Sequence, residues 1–306
     1  MVSWRAIWPW PPTMETRSDM AGPYPFDPVG QTARAYGCAM SEHEHLLLDV
    51  EDSIATITID RAEKRNAMTF EMLNGFISLV REAGERDDVR VVIVTGRPGV
   101  FCAGIDLAAL AGATGSLTAD DEPQVRGEAD EADVWWPLVS CPKPVIGAID
   151  GPAVGMGAEF SSQCDVRIGT PNSRFAWNFA HRGLVPDTGA GTWLLPRLVG
   201  HQRALQLLYS GEFISADDAL DIGYLAEIVP ADDLQQRARE LAQSFLVGSP
   251  FSHRRMKELV YEGLARDVGA HMEAHVAALK QCFSSNDHKE GVASFLERRP
   301  ATFTGT

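Results

Sequence analysis

Apolar and polar residues along the first part of the chain follow patterns that predict several strands. Residues 54–59 alternate between apolar and polar side chains, which is typical of a strand with one buried face. Residues 90–95 and 144–149 carry short continuous apolar runs, which indicate strands in the protein interior, the first of them covered on both faces. Further short strands are predicted near residues 166–168 and 175–177.

Helix signals separate these strands and then replace them. Thr69 precedes apolar residues at helical spacing and is predicted to cap a helix, and Ser215 is predicted to cap another that ends near Gly223. Predicted helices also cover residues 192–198, 232–245, 249 onward, 268–283 and 288–298. Strands that alternate with helices and are followed by helices alone predict an α/β core with a helical C-terminal part.

The first 40 residues differ from the rest of the chain. They contain three tryptophans among several prolines, show no periodicity and lack the continuous apolar segment of a signal peptide. We therefore expect residues 1–40 to be a disordered or loosely packed extension. Residues 41–230 are expected to form the core, and residues 231–306 the helical C-terminal region.

Composition narrows the classes of partner. The 306-residue chain has a net charge of -15, which argues against binding nucleic acid because phosphates require a basic face. No segment approaches the ~18 apolar residues of a membrane span, so no membrane partner is expected. The five cysteines include no CxxC pair and do not indicate a disulfide framework, which favours a cytoplasmic protein.

A glycine-rich stretch in the middle of the chain carries the main candidate chemistry. Gly151, Gly155 and Gly157 follow an apolar strand and allow a tight turn into a helix predicted to begin at Met156. Free N–H groups at the positive end of that helix would face a ligand. Glu159 lies one turn into the helix, where a carboxylate suits proton transfer beside an oxygen that becomes negative. The alternative is structural, since an acidic residue in a first turn often only complements the helix dipole.

Three segments carry a family resemblance when they are taken together. They are Phe-Cys-Ala-Gly-Ile-Asp-Leu at residues 101–107, the strand, glycine turn and helix at 143–165, and Lys-Glu-Gly-Val-Ala-Ser-Phe-Leu-Glu at 289–297. Residues 64–67 and 195–200 also match. In order and spacing the chain resembles the crotonase, or enoyl-CoA hydratase/isomerase, superfamily from Leu46 onward.

This resemblance implies an α/β fold: a crotonase-type spiral of ββα units with a helical C-terminal trimerisation region that builds a homotrimer or a dimer of trimers. It also implies an acyl-CoA thioester as substrate, with no cofactor apart from the coenzyme A of the substrate and with no metal. The thioester oxygen would become an enolate oxyanion held by the backbone N–H groups of Ile105 and Met156. Removing one such donor typically lowers the rate by about 10²–10³.

The resemblance also implies substrate contacts in the loops around this centre. Lys64 and Arg65 would contact the phosphates of coenzyme A, although each is equally well interpreted as a solvated loop charge. Phe179 would line the acyl pocket or serve as a core aromatic residue. Further contacts are implied at Ala67, Ala103, Gly104, Asp106 and Gly155. Of these, Asp106 is better interpreted as a residue that fixes its own loop.

One departure from the family pattern bears on the reaction. Similar hydratases use two glutamates, of which Glu159 matches the first, whereas the second position falls on Phe179, which cannot take a proton. Asp187 matches the position where dienoyl-CoA isomerases, ring-epoxide isomerases and chlorobenzoyl-CoA dehalogenases carry a catalytic aspartate. The alternatives for Asp187 are a Pro-Asp turn or the N-cap of the helix from Thr192. We interpret Glu159 and Asp187 as a catalytic pair.

These residues predict an enoyl-CoA hydratase/isomerase that hydrates a 2-enoyl-CoA or moves its double bond. One alternative is a dedicated isomerase of enoyl-CoA or ring-type acyl-CoA that uses Asp187. The other is a non-catalytic acyl-CoA-binding member of the family, against which the retained Glu159 argues.

Overall fold

A computed structural model of the protein describes residues 43–114 and 135–306. The extension predicted at residues 1–40 lies outside the described residues, and the division of the chain near residue 230 stays a prediction. The strands are β1 (Leu46–Glu51), β2 (Ile54–Ile59), β3 (Val91–Gly96), β4 (Val145–Ile149), β5 (Pro152–Val154), β6 (Val166–Gly169), β7 (Arg174–Ala176), β8 (Ile214–Ser215) and β9 (Glu227–Ile228).

Helices are interspersed with these strands up to β9 and then follow one another to the C-terminal end, as the sequence pattern predicts. They are α1 (Phe70–Glu85), α2 (Leu107–Thr114), α3 (Pro137–Ser140), α4 (Met156–Gln163), α5 (Ala190–Trp193), α6 (Leu195–Val199), α7 (His201–Ser210), α8 (Ala216–Asp221), α9 (Leu234–Leu246), α10 (Pro250–Gly263), α11 (Val268–Ser284) and α12 (Asn286–Glu297). Short 3-10 turns occur at Ala62–Lys64, Asn178–Arg182 and Ala231–Asp233.

The strands form two sheets. The main sheet has six strands in the order β1-β2-β3-β4-β6-β9, and the smaller sheet has three in the order β5-β7-β8. In the main sheet β1 is antiparallel to β2, and the other neighbours are parallel. The chain therefore leaves the main sheet after β4 and enters the smaller one at β5, immediately before the glycine-rich turn into α4.

Each face of the main sheet has its own apolar core. Val92 and Val94 of β3 belong to the larger cluster, which also contains the apolar face of α1. Val91 and Ile93 belong to a second cluster, which α9 covers. All six residues of β3 are buried, so the prediction that this strand is covered on both faces is confirmed.

Side-chain caps begin α1 and α8 at the residues that the sequence predicts. Thr69 Oγ1 accepts a hydrogen bond from Met72 N at 3.2 Å. Ser215 Oγ accepts from Asp218 N at 3.1 Å, and the Asp218 carboxylate accepts from Ser215 N at 3.3 Å, which completes a capping box. Both cap predictions are confirmed.

One predicted helix is corrected. Residues 192–198 belong to two short helices, α5 and α6, which meet at Leu194. Pro196 lies in the first turn of α6, where its missing N–H costs no helical hydrogen bond, so a new helix begins there. Because α5 starts earlier than predicted, with Gly189 at its N-cap, the interpretation of Asp187 as a helix N-cap is wrong.

The last three helices bury few of their apolar side chains. α10 has no buried residue, and Ala278 is the only one in α11. Val260, Val268 and Phe295 are 64%, 80% and 82% exposed. In the part of the chain that the structure describes, no helix combines the length and the apolar character that a membrane span requires.

One carboxylate joins α10 to the main sheet. Asp165, in the turn between α4 and β6, accepts hydrogen bonds from Val145 N at 2.7 Å, Lys257 Nζ at 2.9 Å and Tyr261 OH at 2.9 Å. Lys257 Nζ also donates to Leu138 O at 2.8 Å. Because Val145 is the first residue of β4, α10 is held at the start of the strand that leads to the glycine-rich turn.

Candidate active site

Two glycines shape the turn from β5 into α4. Gly155 has φ 53° and ψ -120°, a conformation that other residues rarely adopt. A β-carbon at Gly157 would lie only 2.2 Å from the carbonyl oxygen of Cys102. Glycine at position 157 therefore allows α4 to pack directly against the backbone of residues 101–107.

The two predicted oxyanion donors lie near each other at this contact. Met156 is the first residue of α4, so its N–H has no acceptor within the helix. Among the described residues, neither Met156 N nor Ile105 N donates a hydrogen bond. Gly104, which precedes Ile105, lies so close to α4 that a β-carbon there would be 3.6 Å from Met156 N. Paired free N–H groups are what an oxyanion hole requires.

Backbone pairing with Met68 fixes the loop that carries Ile105. Met68 N donates to Gly104 O at 2.8 Å, and Asp106 N donates to Met68 O at 2.8 Å. These bonds hold the residues on either side of Ile105. The position of its N–H is therefore set by backbone contacts, independently of the Ile105 side chain.

Glu159 is completely buried on α4. Its Oε2 accepts a hydrogen bond from Thr188 Oγ1 at 2.8 Å, whereas Oε1 has no partner among the described residues. Burial raises the pKa of Glu159 to about 8, and the negative charge of Asp187 adds to the increase. The dipoles of the Gly191 N–H, the Thr188 hydroxyl and the Ala190 N–H partly offset it, although neither N–H completes a hydrogen bond to Oε1. A carboxyl group with a pKa raised this far can donate a proton near neutral pH.

Asp187 comes from the loop that precedes α5. Its Oδ1 is buried and has no hydrogen-bond partner among the described residues. Burial raises the pKa of Asp187 to about 6, against the opposing effect of the Thr188 N–H and its own N–H. A carboxyl group with that pKa is mostly ionised at neutral pH, so Asp187 can accept a proton.

The two carboxyl groups have separated pKa values, and the charge of Asp187 contributes to the raised pKa of Glu159. It also contributes to the raised pKa of the Cys102 thiol, which burial brings to about 12, so Asp187 lies near the loop at residues 101–107 as well. Neighbouring groups whose environments move their pKa values apart can serve as an acid and a base.

Phe179 and the predicted basic residues lie around this centre. Phe179 is buried, and its Cζ is 3.9 Å from the position that a β-carbon of Gly155 would take. Lys64 and Arg65 are exposed. Arg65 O accepts a hydrogen bond from Ala103 N at 3.1 Å, so the basic pair adjoins the loop that carries one oxyanion donor.

Asp106 is engaged in structural bonds. Its carboxylate accepts hydrogen bonds from Arg61 Nη1 at 2.9 Å and from Ala108 N at 2.9 Å. Arg61 Nη1 also donates to Ala67 O at 2.9 Å. Asp106 thus caps α2 and fixes its loop, and substrate contacts by Asp106 or Ala67 stay predictions.

A large open groove lies away from these residues. It has a volume of about 510 Å³, lies between α10 and α11 and is lined by residues that include Met256, Val260 and His271. No predicted site residue lines it. The candidate active site is therefore not part of this groove.

The family model described as Enoyl-CoA hydratase/isomerase matches residues 49–306 of the chain. The chain belongs to the enoyl-CoA hydratase/isomerase family. The crotonyl-CoA hydratase of Syntrophomonas wolfei is 32% identical to it over 262 residues, which cover 85% of this chain and 98% of that protein. The 1,2-epoxyphenylacetyl-CoA isomerase of Escherichia coli is 30% identical over 271 residues, which cover 86% of this chain and 99% of that protein.

Comparison with solved structures shows that the fold of the chain is also similar to that of enoyl-CoA hydratases. The crystal structure of an enoyl-CoA hydratase from Bacillus anthracis matches with a TM-score of 0.77 at 28% identity, and the match covers 86% of this chain and 100% of that one. The predicted family and the predicted crotonase-type α/β fold are therefore confirmed.

In this enoyl-CoA hydratase/isomerase family member, three further polar residues belong to the hydrogen-bond network of Glu159, and motif spacing does not identify them. They are Thr188, Gln163 and Trp136. Trp136 Nε1 donates to Thr188 O at 2.8 Å, and Gln163 Nε2 donates to Thr188 Oγ1 at 3.4 Å. Gln163 follows Glu159 by four residues on α4, so helical spacing is a signal that could identify it. Trp136 has no comparable signal.

Proposed function

We propose that this chain hydrates or isomerises enoyl-CoA thioesters, with Glu159 as proton donor and Asp187 as proton acceptor. The supporting observation is a pair of buried oxygens, Glu159 Oε1 and Asp187 Oδ1, that have no partner among the described residues. The N–H groups of Ile105 and Met156, which also lack a described acceptor, adjoin the helix that carries Glu159. Buried polar atoms are normally hydrogen-bonded, so unpaired ones in one place point to a reacting ligand.

Hydration and double-bond migration form the same enolate oxyanion and differ in which protons are transferred. The N–H groups of Ile105 and Met156 donate to the thioester oxygen as it becomes negative. In hydration, Asp187 takes a proton from the water that adds to the β-carbon, and Glu159 gives its proton to the α-carbon. In double-bond migration, Asp187 takes a proton from the α-carbon of a 3-enoyl-CoA, and Glu159 gives its proton to the γ-carbon. Both reactions start with Asp187 ionised and Glu159 protonated.

A dedicated isomerase is the second candidate, and Phe179 favours it. Its buried phenyl ring occupies the position where similar hydratases carry their second glutamate. A phenyl ring offers no hydrogen bond to a water, so the site loses one of the groups that would hold it. Transfer of a proton within the acyl group needs no such water. The similarity to an isomerase named for 1,2-epoxyphenylacetyl-CoA also supports this candidate.

A spectrophotometric assay of the purified full-length protein with crotonyl-CoA and a 3-enoyl-CoA tests the proposal. A hydratase removes the conjugated double bond of crotonyl-CoA, whereas an isomerase creates a conjugated double bond in the 3-enoyl-CoA. A mock purification from cells that do not express the protein measures contaminating activity. Binding of both thioesters in a calorimeter without turnover would contradict the proposal and would indicate the non-catalytic alternative.

We further propose that Lys64 and Arg65 bind the phosphates of coenzyme A. Both side chains are exposed, and the loop that carries them is bonded to the loop that carries Ile105. In a chain with a net charge of -15, an anionic substrate requires local basic residues of this kind. The guanidinium group of Arg65 also offers the paired N–H donors that suit phosphate oxygens.

We propose that the protein forms a homotrimer or a dimer of trimers through α10–α12. Large apolar side chains remain exposed along these helices, including Met272 at 50%, Phe283 at 59% and Leu296 at 74%. Several large apolar side chains exposed on neighbouring helices mark a surface that another protein covers.

Replacement of Phe295 with aspartate is expected to shift the protein toward monomers at micromolar concentration. Phe295 is 82% exposed in the isolated chain, so a charge there would be tolerated in a monomer but costly in an apolar interface. Light scattering coupled to size-exclusion chromatography measures the mass. The control is Leu47→Asp on β1, which is 43% exposed and lies outside α10–α12. A wild-type protein that is monomeric at this concentration would contradict the assembly proposal.

A further inference from the structure

Three hydrogen bonds converge on the hydroxyl group of Thr188. Thr188 Oγ1 lies 2.8 Å from Glu159 Oε2. It accepts hydrogen bonds from Ala190 N at 3.3 Å and from Gln163 Nε2 at 3.4 Å. A threonine hydroxyl has one proton to donate and two lone pairs to accept with. Both lone pairs are occupied by nitrogen donors, so the hydroxyl proton is left for Glu159 Oε2.

The orientation of Gln163 supports this assignment. An amide side chain can be turned over without changing its shape, so its nitrogen and oxygen must be assigned from their partners. Gln163 Nε2 also lies 3.1 Å from the carbonyl oxygen of Trp135. A carbonyl oxygen can only accept, so the atom facing it must be the nitrogen. Gln163 therefore donates to Thr188 as well.

The direction of the Thr188 hydroxyl determines where Glu159 can carry its proton. Oε2 accepts the hydroxyl proton, and in a protonated carboxyl group the carbonyl oxygen is a much better acceptor than the hydroxyl oxygen. The hydrogen bond from Thr188 therefore favours the protonated form in which Oε2 is the carbonyl oxygen and Oε1 carries the proton. Oε1 is the oxygen that is buried and has no partner among the described residues.

We propose that Thr188 is a positioning residue that reserves Oε1 of Glu159 for proton transfer to the substrate. The inference rests on the proposed function of Glu159 as proton donor. It assigns the two oxygens different tasks: Oε2 anchors the carboxyl group to the loop of Asp187, and Oε1 exchanges protons with the acyl group.

The backbone of Thr188 is fixed by a separate contact. Trp136 Nε1 donates to Thr188 O at 2.8 Å, so the loop is tied to residues just before α3. Thr188 also follows Asp187 directly in the chain. Thr188 therefore contacts Glu159 through its side chain and is joined to Asp187 through the backbone. The positions of the two carboxyl groups are coupled as a result.

Replacement of Thr188 with valine removes the hydroxyl group and nearly preserves the shape of the side chain. Its hydrogen bond stabilises ionised Glu159, so its loss raises the pKa of Glu159. Asp187 is the charged group whose field contributes to the raised pKa of Glu159, and it is unchanged in this variant. We expect the alkaline limb of the kcat/KM profile, which reports the free enzyme, to move up by about one pH unit, and kcat to fall by about 10- to 100-fold. KM is expected to change little, because the oxyanion donors are backbone groups.

Thr188→Ser keeps the hydroxyl group and is expected to restore the wild-type pH dependence. Thr188→Ala is a second hydroxyl-free variant in case valine disturbs folding. An infrared titration of the Glu159 carboxylic acid band, identified by its loss in Glu159→Gln, measures the same pKa without turnover. An unchanged kcat and an unchanged Glu159 pKa in both hydroxyl-free variants would overturn the inference, as would a serine variant that behaves like valine. If Glu159→Gln instead keeps full activity, the proposed function fails, while the infrared titration still decides whether Thr188 bonds to Glu159.

Discussion

Replacement of Glu159 with glutamine is expected to lower kcat by roughly 10²–10⁴, the usual contribution of a positioned proton-transfer group. Glutamine preserves the shape of the side chain and can still accept a hydrogen bond from Thr188, but it cannot donate a proton to the acyl group. KM is expected to stay close to the wild-type value, because the substrate oxygen is held by backbone donors that the substitution leaves in place. Steady-state assays with crotonyl-CoA and a 3-enoyl-CoA measure both parameters.

The pH dependence gives this prediction a second test. In the proposed mechanism Glu159 acts as an acid, so wild-type activity is expected to fall as the pH rises through the Glu159 pKa of about 8. The residual activity of Glu159→Gln should lack this alkaline limb. The matched control is Glu240→Gln on α9, an exposed glutamate remote in sequence from the site, which is expected to retain the wild-type profile. A Glu159→Gln variant with wild-type kcat would show that Glu159 only complements the dipole of α4.

Replacement of Asp187 with asparagine is expected to lower kcat by a similar factor, roughly 10²–10⁴. In the proposed mechanism Asp187 acts as a base, so wild-type activity should fall as the pH drops through the Asp187 pKa of about 6, and this acid limb should disappear in the variant. If the protein is chiefly an isomerase, migration of a 3,4-double bond should decrease more than any hydration of crotonyl-CoA. Parallel assays of the two substrates across pH 5 to 9, roughly the range in which both groups titrate, measure the difference.

Asp232→Asn is the matched control for this substitution, because Asp232 is an exposed carboxylate in the 3-10 turn before α9. Its kcat and pH profile are expected to match those of the wild type. If Asp187→Asn leaves both reactions near wild type, Asp187 is a residue of the Pro-Asp turn. Glu159 would then act alone or with a different partner.

The parts of the fold that depend on local spacing are predictable from the sequence. The alternation in β2, the continuous apolar run of β3 and the cap at Thr69 each involve residues within a few positions of one another. The placement of Glu159 one turn after Met156 is predictable for the same reason, since a helix fixes the distance between them.

The polar network around Glu159 depends on contacts between distant parts of the chain. Thr188 contacts Gln163, Glu159 and Trp136 across separations of 25, 29 and 52 residues. No local pattern encodes which of several threonines reaches a buried carboxylate. The sequence pattern does not predict the break between α5 and α6, because a proline such as Pro196 can either end a helix or begin one. Only the surrounding packing decides between the two.

The hydrogen bonds of Asp165 link α10, the first of the three C-terminal helices, to the strand that leads to the candidate active site. If α10–α12 were exchanged with those of a relative, the donor helices would have to supply equivalents of Lys257 and Tyr261. Otherwise, among the described residues, Asp165 would keep only the N–H of Val145 as a partner, and a partly buried carboxylate would lose its counter-charge. These positions are therefore expected to be inherited together, so that in the proposed assembly a lineage would change how its subunits associate only within limits set by the strand that leads to the candidate active site.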